Sequence, residues 1–311
     1  MLNLWLLRFH RWITLTFSIP LAVLVLTGLA LSFEPIVQES GLRPGQSATE
    51  SVRAALARHD PGGAARSLIV RAYNDTVSIG GARRGDAIHV DLRTNEAISS
   101  PGFLAEFFLA NRQLHEKFLL DLGWLVTAST IAMLVLIAIG IAMGLPRLRN
   151  TLSGWHKGTA WFLLPLLIAS PLTGLFLAFG WTFASAPPRA TAPLVSLQSA
   201  VASVAARYDL GQVAWIRPRG NAMLARVNDG GEMRVFAVSG DGLVATPRNW
   251  PRLIHEGNWR GTPSALINVA ISAAFVLLLS TGLLIWARRK FRKRRPRPAA
   301  AIAQPEATAL R

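Results

Sequence analysis

The amino-acid sequence predicts a membrane protein of the all-α class. The predicted fold is a four-transmembrane-helix bundle, built as a tandem two-span repeat, with two small α+β modules outside the membrane. Hydrophobic residues make up 51% of the chain and charged residues only 16%, although the net charge is +16. This composition suits a membrane protein with basic flanks better than a nucleic-acid-binding protein. Four long stretches contain no Asp, Glu, Lys or Arg, and one motif beside them occurs twice.

The four apolar stretches are long enough to span a bilayer, which requires about 20 residues in a helix. They run from Trp12 to Phe33, Leu122 to Leu145, Thr159 to Phe183 and Thr262 to Ala287. The first lacks a small-x-small cleavage site, so we interpret it as an uncleaved anchor. The stretches divide the chain into a first transmembrane helix with a cytoplasmic N-terminus (1–33), a first external module (34–112), a histidine segment with the second transmembrane helix (113–146), a cytoplasmic link (147–158), a third transmembrane helix (159–185), a second external module (186–252), a histidine segment with the fourth transmembrane helix (253–287) and a basic, disordered cytoplasmic tail (288–311).

Lys and Arg residues predict the orientation, because the cytoplasmic flanks of membrane spans carry the excess positive charge. These residues lie before the first stretch, between the second and third, and after the fourth: Arg8, Arg11, Arg147, Arg149, Lys157 and the run from Arg288 to Arg297. Both termini are therefore expected in the cytoplasm, with anionic membrane lipid as the partner of the tail and no nucleic acid. The chain has no cysteine, which excludes disulfides and cysteine-ligated iron–sulfur clusters.

Each long external loop has the pattern of one helix followed by short strands, with turn residues between them. The first loop predicts a helix over Ala48 to Arg58 and strands over Ser67 to Tyr73, Thr76 to Gly80 and Ala87 to Leu92. The second predicts a helix over Leu194 to Tyr208 and strands over Gln212 to Arg217, Ala222 to Val227 and Met233 to Val238. Modules of this size are near the lower limit for an independent core, so we expect them to lean on each other or on the membrane domain.

Four of the six histidines follow the tandem repeat. His10 and His156 stand just before the first and third stretches, and each is followed eighteen residues later by the glycine of a Leu-Thr-Gly sequence. His115 and His255 stand before the second and fourth stretches, and each is followed by a glutamate. The other two histidines have no counterpart and are interpreted as ordinary residues of the first module: His59 and His89.

The repeat predicts that equivalent histidines face each other. Two units that both begin in the cytoplasm are related by an axis along the membrane normal, so equivalent residues lie at one depth. Two imidazoles that converge from facing helices are what a bis-histidine b-type haem requires, because each supplies one axial bond to the iron. The sequence therefore predicts two haems b, with iron ligands His10 and His156 on the cytoplasmic side and His115 and His255 on the outer side.

Glycines on the first and third spans share a helical stripe with the preceding histidines. Eighteen residues at about 100° each return to the starting face, which places Gly28 below His10 and Gly174 below His156. The glycines leave room either for a bulky group held by the other helix pair or for close packing of helices in lipid. The spacing alone does not decide between the two.

Basic residues near the histidines are candidates to bind haem propionates. Five lie within a few positions of a histidine: Arg8, Arg11, Lys157, Arg112 and Arg252. Positive charge on the cytoplasmic side already explains the first three. Arg112 and Arg252 are the preferred candidates, because each stands three residues before its histidine on the outer side.

The chain resembles the PepSY-associated transmembrane family, and within it the four-span siderophore-iron reductases. The resemblance is carried by Arg8-Phe9-His10-Arg11-Trp12 with Leu26-Thr27-Gly28, by Leu114-His115-Glu116, by Trp155-His156-Lys157-Gly158 with Leu172-Thr173-Gly174, and by Ile254-His255-Glu256 before Thr281-Gly282. The external modules resemble PepSY domains in element order and length. The resemblance implies a multi-pass protein of a Gram-negative inner membrane that holds haem b and reduces ferric siderophores, or transfers electrons similarly, in the periplasm.

The sequence and the resemblance together predict transmembrane electron transfer from the cytoplasmic side to a periplasmic acceptor, a ferric siderophore. No Gly-x-Gly-x-x-Gly follows a predicted strand, so the electron donor is expected to be a partner reductase, a reduced flavin or membrane quinol. Two other classes stay open. One is a haem-free, membrane-anchored PepSY regulator of a periplasmic protease or partner protein. The other is a transporter, although the spans lack the ionisable residues that ion-coupled carriers place near the midplane.

Overall fold

The computed structural model describes residues 2–42, 47–81, 86–147, 149–184, 194–240 and 242–291. Within these ranges the helices are α1 Leu2–Thr16, α2 Ser18–Ser32, α3 Glu34–Ser40, α4 Thr49–His59, α5 Phe103–Lys117, α6 Gly123–Ala142, α7 Leu152–Phe162, α8 Leu164–Ala178, α9 Leu197–Ala205, α10 Trp250–Glu256 and α11 Thr262–Phe291. The strands are β1 Ser67–Arg71, β2 Thr76–Gly80, β3 Ala87–Asp91, β4 Glu96–Ile98, β5 Val213–Arg219, β6 Ala222–Asp229, β7 Glu232–Ser239 and β8 Gly242–Ala245. Most of the predicted tail (288–311) lies outside the described residues.

The prediction of an all-α bundle of four transmembrane helices is wrong on two counts. First, only three helical segments of the described chain are long and apolar enough to cross a membrane: Ser18–Ser40, Gly123–Ala142 and Thr262–Phe291. The predicted third span is instead a pair of helices, α7 and α8, bent by 68°. Second, the strands form one eight-stranded sheet, so the fold combines membrane helices with a substantial antiparallel β-domain.

The bend between α7 and α8 follows from Pro165, the second residue of α8. Proline has no N–H and its ring clashes with the carbonyl four residues earlier, so it favours the first turn of a helix and tends to break or kink the helix that precedes it. Leu163 accordingly leaves helical geometry, with φ −101° and ψ 11°. Pro20 has the same effect near the start of α2, where Phe17 has φ −96° and ψ 11°. Hydropathy did not reveal either break, because both prolines lie within apolar runs.

The two external modules are joined into a single sheet with the strand order β4-β3-β2-β1-β5-β6-β7-β8. Every neighbouring pair is antiparallel, and the two halves meet where Leu68 on β1 lies opposite Ile216 on β5. Counted outwards from the β1–β5 junction, the four strands of each half follow in chain order. The two halves thus have the same arrangement, as a two-fold axis at this junction requires. The six predicted strands and both predicted helices are present, whereas the short edge strands β4 and β8 were not predicted.

Helices α4 and α9 cover one face of the sheet and share one hydrophobic core with it. Alternate strand residues such as Leu68, Ile216 and Ala225 point into this core and are fully buried. The intervening residues point to the opposite face, where Arg226 on β6 reaches Glu256 on α10. We define the sheet domain as β1 to β8 with α4 and α9, and the helical domain as the other helices. The face of the sheet opposite α4 and α9 therefore lies against the helical domain.

The helical domain exposes many large apolar side chains. Ile19 on α2 is 76% exposed, Ile131 on α6 43% and Leu266 on α11 54%. Apolar surface of this extent on long helices is suited to contact with lipid rather than with water. The chain is therefore a membrane protein with several apolar helices, and the cytoplasmic position of its termini stays a prediction.

The junction of the two half-sheets is expected to control the stability of the sheet domain. Leu68→Ala should lower the free energy of unfolding of this domain by about 2–5 kcal/mol, because the side chain is fully buried at the β1–β5 contact. Ile69→Ala is the matched control: it removes a similar side chain from the next residue, which is 37% exposed. Thermal unfolding of the purified protein in detergent measures both. An equal effect of the two substitutions would contradict this account of the core.

Candidate functional site

The four repeat-related histidines form two facing pairs. The imidazole centroids of His10 and His156 are 6.4 Å apart, with the rings inclined at 78°. Those of His115 and His255 are 6.1 Å apart, inclined at 43°. The pairing expected from the repeat is thus present in the structure. Because α5 and α10 directly follow the strands, we call His115 and His255 the sheet-side pair, and His10 and His156 the far-side pair.

The ring of His115 is held by α2. Its Nδ1 lies 3.0 Å from the hydroxyl oxygen of Thr27. Thr27 already donates its proton to the Val23 carbonyl at 2.6 Å, so its oxygen is left to accept a hydrogen bond. Nδ1 of His115 is therefore the protonated nitrogen, and Nε2 keeps its lone pair. A hydrogen bond of this kind, made by the ring nitrogen that would not bind the metal, fixes the tautomer that a metal-binding imidazole needs.

Two further histidines have the same arrangement on other helices. His255 Nδ1 lies 3.0 Å from the Ser170 carbonyl of α8, which can only accept, and 3.4 Å from the Thr173 hydroxyl. His156 Nδ1 lies 2.9 Å from the hydroxyl of Thr281 on α11, and Thr281 donates to the Leu277 carbonyl at 2.6 Å. Both rings are thus held with Nδ1 protonated and Nε2 free to bind a metal.

The glycines of the Thr-Gly sequences make space for the imidazole rings themselves. We call such a threonine and glycine, where they lie beside a histidine ring, a Thr-Gly seat. A Cβ added to Gly174 would lie 2.8 Å from Cε1 of His255, and one added to Gly28 would lie 3.3 Å from Cε1 of His115. At Gly282 the corresponding distance to Cε1 of His156 is 3.5 Å. The room that the sequence left unexplained at Gly28 and Gly174 therefore belongs to a histidine of the sheet-side pair.

His10 differs from the other three. Within the described residues its ring has no Thr-Gly seat, and its backbone carbonyl accepts a bond from Thr14 at 2.8 Å. Gly140 on α6 would meet nothing within 4 Å if it carried a Cβ, whereas Gly282 on α11 lies beside the ring of His156. Helices α6 and α11 are therefore not equivalent in how they support the far-side pair.

The donor set suits a metal whose remaining ligands come from a macrocycle. Among the described residues no group of three or more His, Cys, Asp or Glu could hold a metal ion, so each site offers only two imidazoles. A metal–imidazole bond is about 2 Å long, so two such bonds in line place the ring centres roughly 6 Å apart. Burial, and then the neighbouring His255, lower the pKa of His115 to about 4, which leaves this imidazole neutral and able to bind a metal at pH 7. The residues present therefore fit a bis-histidine haem.

The two pairs lie at different depths along α11. Asn268 donates to the carbonyl of His255 at 2.9 Å, whereas Thr281, thirteen residues later, contacts the ring of His156. A helix rises about 1.5 Å per residue, so the pairs are separated by roughly 20 Å along this axis. The hydrocarbon core of a bilayer is about 30 Å thick. A separation of this size is suited to sites near opposite faces of a membrane, and that placement stays a prediction.

The two arginines predicted to bind propionates are engaged in ion pairs. Arg112 forms a short salt bridge with Glu34, at the junction of α2 and α3. Arg252 bonds Glu256 at 3.0 Å, and Arg226 bonds the same carboxylate at 2.5 Å. Burial alone would raise the pKa of Glu256, but these two arginines outweigh it and lower the pKa to about 2. Propionate binding by Arg112 and Arg252 stays a prediction, and the acidic partners were not foreseen.

The other two histidines lie away from the pairs. His59 contacts the Asn95 carbonyl at 3.2 Å, and His89 contacts Ser78 at 2.7 Å, both within the sheet domain as expected. The guanidinium of Arg8 stacks on Trp5, with 5.2 Å to the ring centroid.

The Thr-Gly seats were visible in the sequence as three repeats of the same dipeptide, but their helical phase did not show which ring occupies each.

Replacing Gly174 or Gly282 by alanine should affect stability differently, because the added Cβ would lie 2.8 Å from a histidine ring atom at the first position and 3.5 Å at the second. Gly174→Ala forces the ring of His255 off the Ser170 carbonyl, and overpacking of this kind typically costs about 1–3 kcal/mol of unfolding free energy. Gly282→Ala meets only ordinary van der Waals contact and gains up to about 1 kcal/mol of helix propensity, so little stability should be lost. Thermal unfolding in detergent compares them. A larger loss for Gly282→Ala would contradict the seat geometry.

Comparison with known proteins agrees with this architecture. The family described as "PepSY-associated TM region" matches residues 7–289, from just before His10 to the end of the last membrane helix. No curated protein matches the chain. The match covers all four paired histidines and the sheet domain between them, and the chain therefore belongs to the PepSY-associated transmembrane family.

Proposed function

We propose that this protein binds two b-type haems and conducts electrons through the inner membrane to a periplasmic acceptor, a ferric siderophore. The observation that carries the proposal is the presence of two pairs of facing imidazoles at metal-bridging separation. In three of the four rings the bond from Nδ1 keeps Nε2 available. When bound, haem supplies reversible one-electron chemistry at its iron.

The chain's own residues explain why the two sites suit one-electron transfer. Three of the four imidazoles are fixed by a neighbouring helix, through a Thr hydroxyl, a backbone carbonyl or both, so little rearrangement of these ligands accompanies a change of charge. Because the pairs lie towards opposite ends of α11, electrons would enter beside His10 and His156 and leave beside His115 and His255.

A ferric chelate is the acceptor that best suits the sheet-side end. Ferric iron binds hard oxygen ligands more strongly than ferrous iron does, so reduction would itself release the metal from a siderophore. The sheet domain stands directly above this end and provides a polar, water-exposed surface for such a molecule. On this proposal the protein is a ferric-siderophore reductase whose donor is a partner reductase, a reduced flavin or quinol.

The optical spectrum of the purified protein is the first test. After expression with sufficient haem, we expect a Soret band and reduced b-type bands that correspond to about two haems per chain. A protein without Soret absorbance would contradict the proposal and favour the haem-free PepSY regulator. Oxidation of the dithionite-reduced protein by an added ferric siderophore then tests the acceptor.

Single histidine substitutions should remove one haem each. His10→Ala deletes a far-side ligand and His115→Ala a sheet-side ligand, so each variant is expected to retain about half of the haem and a different redox midpoint. His59→Ala is the matched control, because this histidine lies in the sheet domain and should leave the haem content unchanged. Haem is quantified by the pyridine haemochrome assay. Loss of both haems or of neither in the pair variants would contradict the assigned pairing.

A further inference from the structure

Strand β5 presents a row of cationic and aromatic side chains to the face of the sheet that lies against the helical domain. Trp215, Arg217 and Arg219 alternate with the core residue Ile216 and with Pro218 along this strand. The guanidinium of Arg217 stacks on the ring of Trp215, with 4.2 Å to the centroid. We call these three residues the β5 patch. Although this face of the sheet is turned towards the helical domain, both arginines of the patch are exposed to solvent.

The β5 patch adjoins the sheet-side histidine pair through a short series of contacts. Trp215 lies opposite Arg226 on the neighbouring strand. Arg226 bonds Glu256 at 2.5 Å, and Glu256 directly follows His255 in α10. A ligand that occupies the patch would therefore lie beside the end of the molecule at which the proposed function places electron exit.

The positive charge of the patch is not neutralised by neighbouring carboxylates. Arg226 and Arg252 share Glu256, but among the described residues Arg217 forms no salt bridge. Burial, and then the charges of Arg219, Arg252 and Arg226, lower the pKa of Arg217. Several guanidinium groups are thus held close together at an exposed surface, an arrangement that favours the binding of an anion.

Among the described residues, the matching strand β1 lacks a comparable patch. It ends in Arg71 on the same face of the sheet, but Arg71 lies near the carboxylate of Glu34 and the hydroxyl of Tyr73. Glu34 stands six residues after Gly28, whereas Gly180 stands six residues after Gly174. The acid that balances the first half is therefore replaced by glycine in the second. On this face of the described sheet, the asymmetry leaves positive charge unbalanced at β5 but not at β1.

We propose that the β5 patch is the binding site for an anionic metal chelate with aromatic oxygen ligands, of the triscatecholate type. Arginine forks match paired catecholate or carboxylate oxygens, and an indole ring offers a surface for aromatic rings. A neutral trihydroxamate complex satisfies neither requirement. The inference rests on the proposed function for the role of the chelate as electron acceptor, whereas binding at the patch is independent of haem.

A redox-inert chelate separates binding from reduction. Gallium(III) triscatecholate imitates the ferric complex but accepts no electron, so its binding to the full-length protein in detergent is measured by isothermal titration calorimetry. Arg217→Gln should weaken binding roughly tenfold, because a hydrogen bond to a charged group contributes about that factor. The double variant Arg217→Gln/Arg219→Gln should weaken it further, and Arg217→Lys should restore part of the affinity. Gallium trihydroxamate should bind more weakly than the triscatecholate.

Arg53→Gln is the matched control. Arg53 is an exposed arginine of α4, on the other side of the sheet, and its loss changes the net charge by the same amount. An equal effect of Arg53→Gln and Arg217→Gln would overturn the proposal in favour of attraction by the net charge of +16. Absence of triscatecholate binding, or unchanged binding in Arg217→Gln, would also overturn it. Site-specific binding to a protein without haem would support the patch while contradicting the proposed function.

Discussion

The hydrogen bond from a histidine Nδ1 to a neighbouring membrane helix is the interaction on which the rest of this structure depends. In a helix bundle surrounded by lipid, no water is available to pair with an imidazole N–H, and an unpaired polar group costs several kcal/mol. Thr27, Thr281 and the Ser170 carbonyl supply the partner for three rings. The adjacent glycines let the rings approach the helix axis. Helix packing and imidazole orientation are therefore determined together.

An ion pair joins the sheet domain to this helical framework. Glu256 lies next to His255 in the chain and is held by Arg226 of the sheet, whereas the pair of Arg112 and Glu34 lies within the helical domain. Removing one partner from such a buried pair would strand a charge, so the two domains are expected to keep a fixed relative position. A fixed position matters for a protein in which the sheet domain would bring an acceptor to the sheet-side pair.

Short-range patterns predicted the apolar helices α2, α6 and α11, helices α4 and α9 and the six longer strands. The facing of the histidines was predicted differently, from the tandem repeat of short motifs that lie far apart in the chain. The errors arose where a single proline, or a contact between residues far apart in the chain, decides the structure. Pro165 breaks an apolar run that hydropathy treats as continuous. Leu68 and Ile216 pair across the two halves, and nothing in either loop specifies that contact. The sequence predicted free space beside Gly28 but not the group that fills it, because His115 reaches this space from another helix.

The antiparallel contact between β1 and β5 makes the tandem chain equivalent to a dimer whose subunits have been joined covalently. An isologous dimer must carry the same residues on both sides of its axis. A fused chain is free of this restriction. Two differences show that each half has changed independently. Glu34 in one half corresponds to Gly180 in the other, and His10, unlike the other three histidines, has no Thr-Gly seat among the described residues. The fusion therefore permits one symmetric scaffold to have a chemically polarised surface.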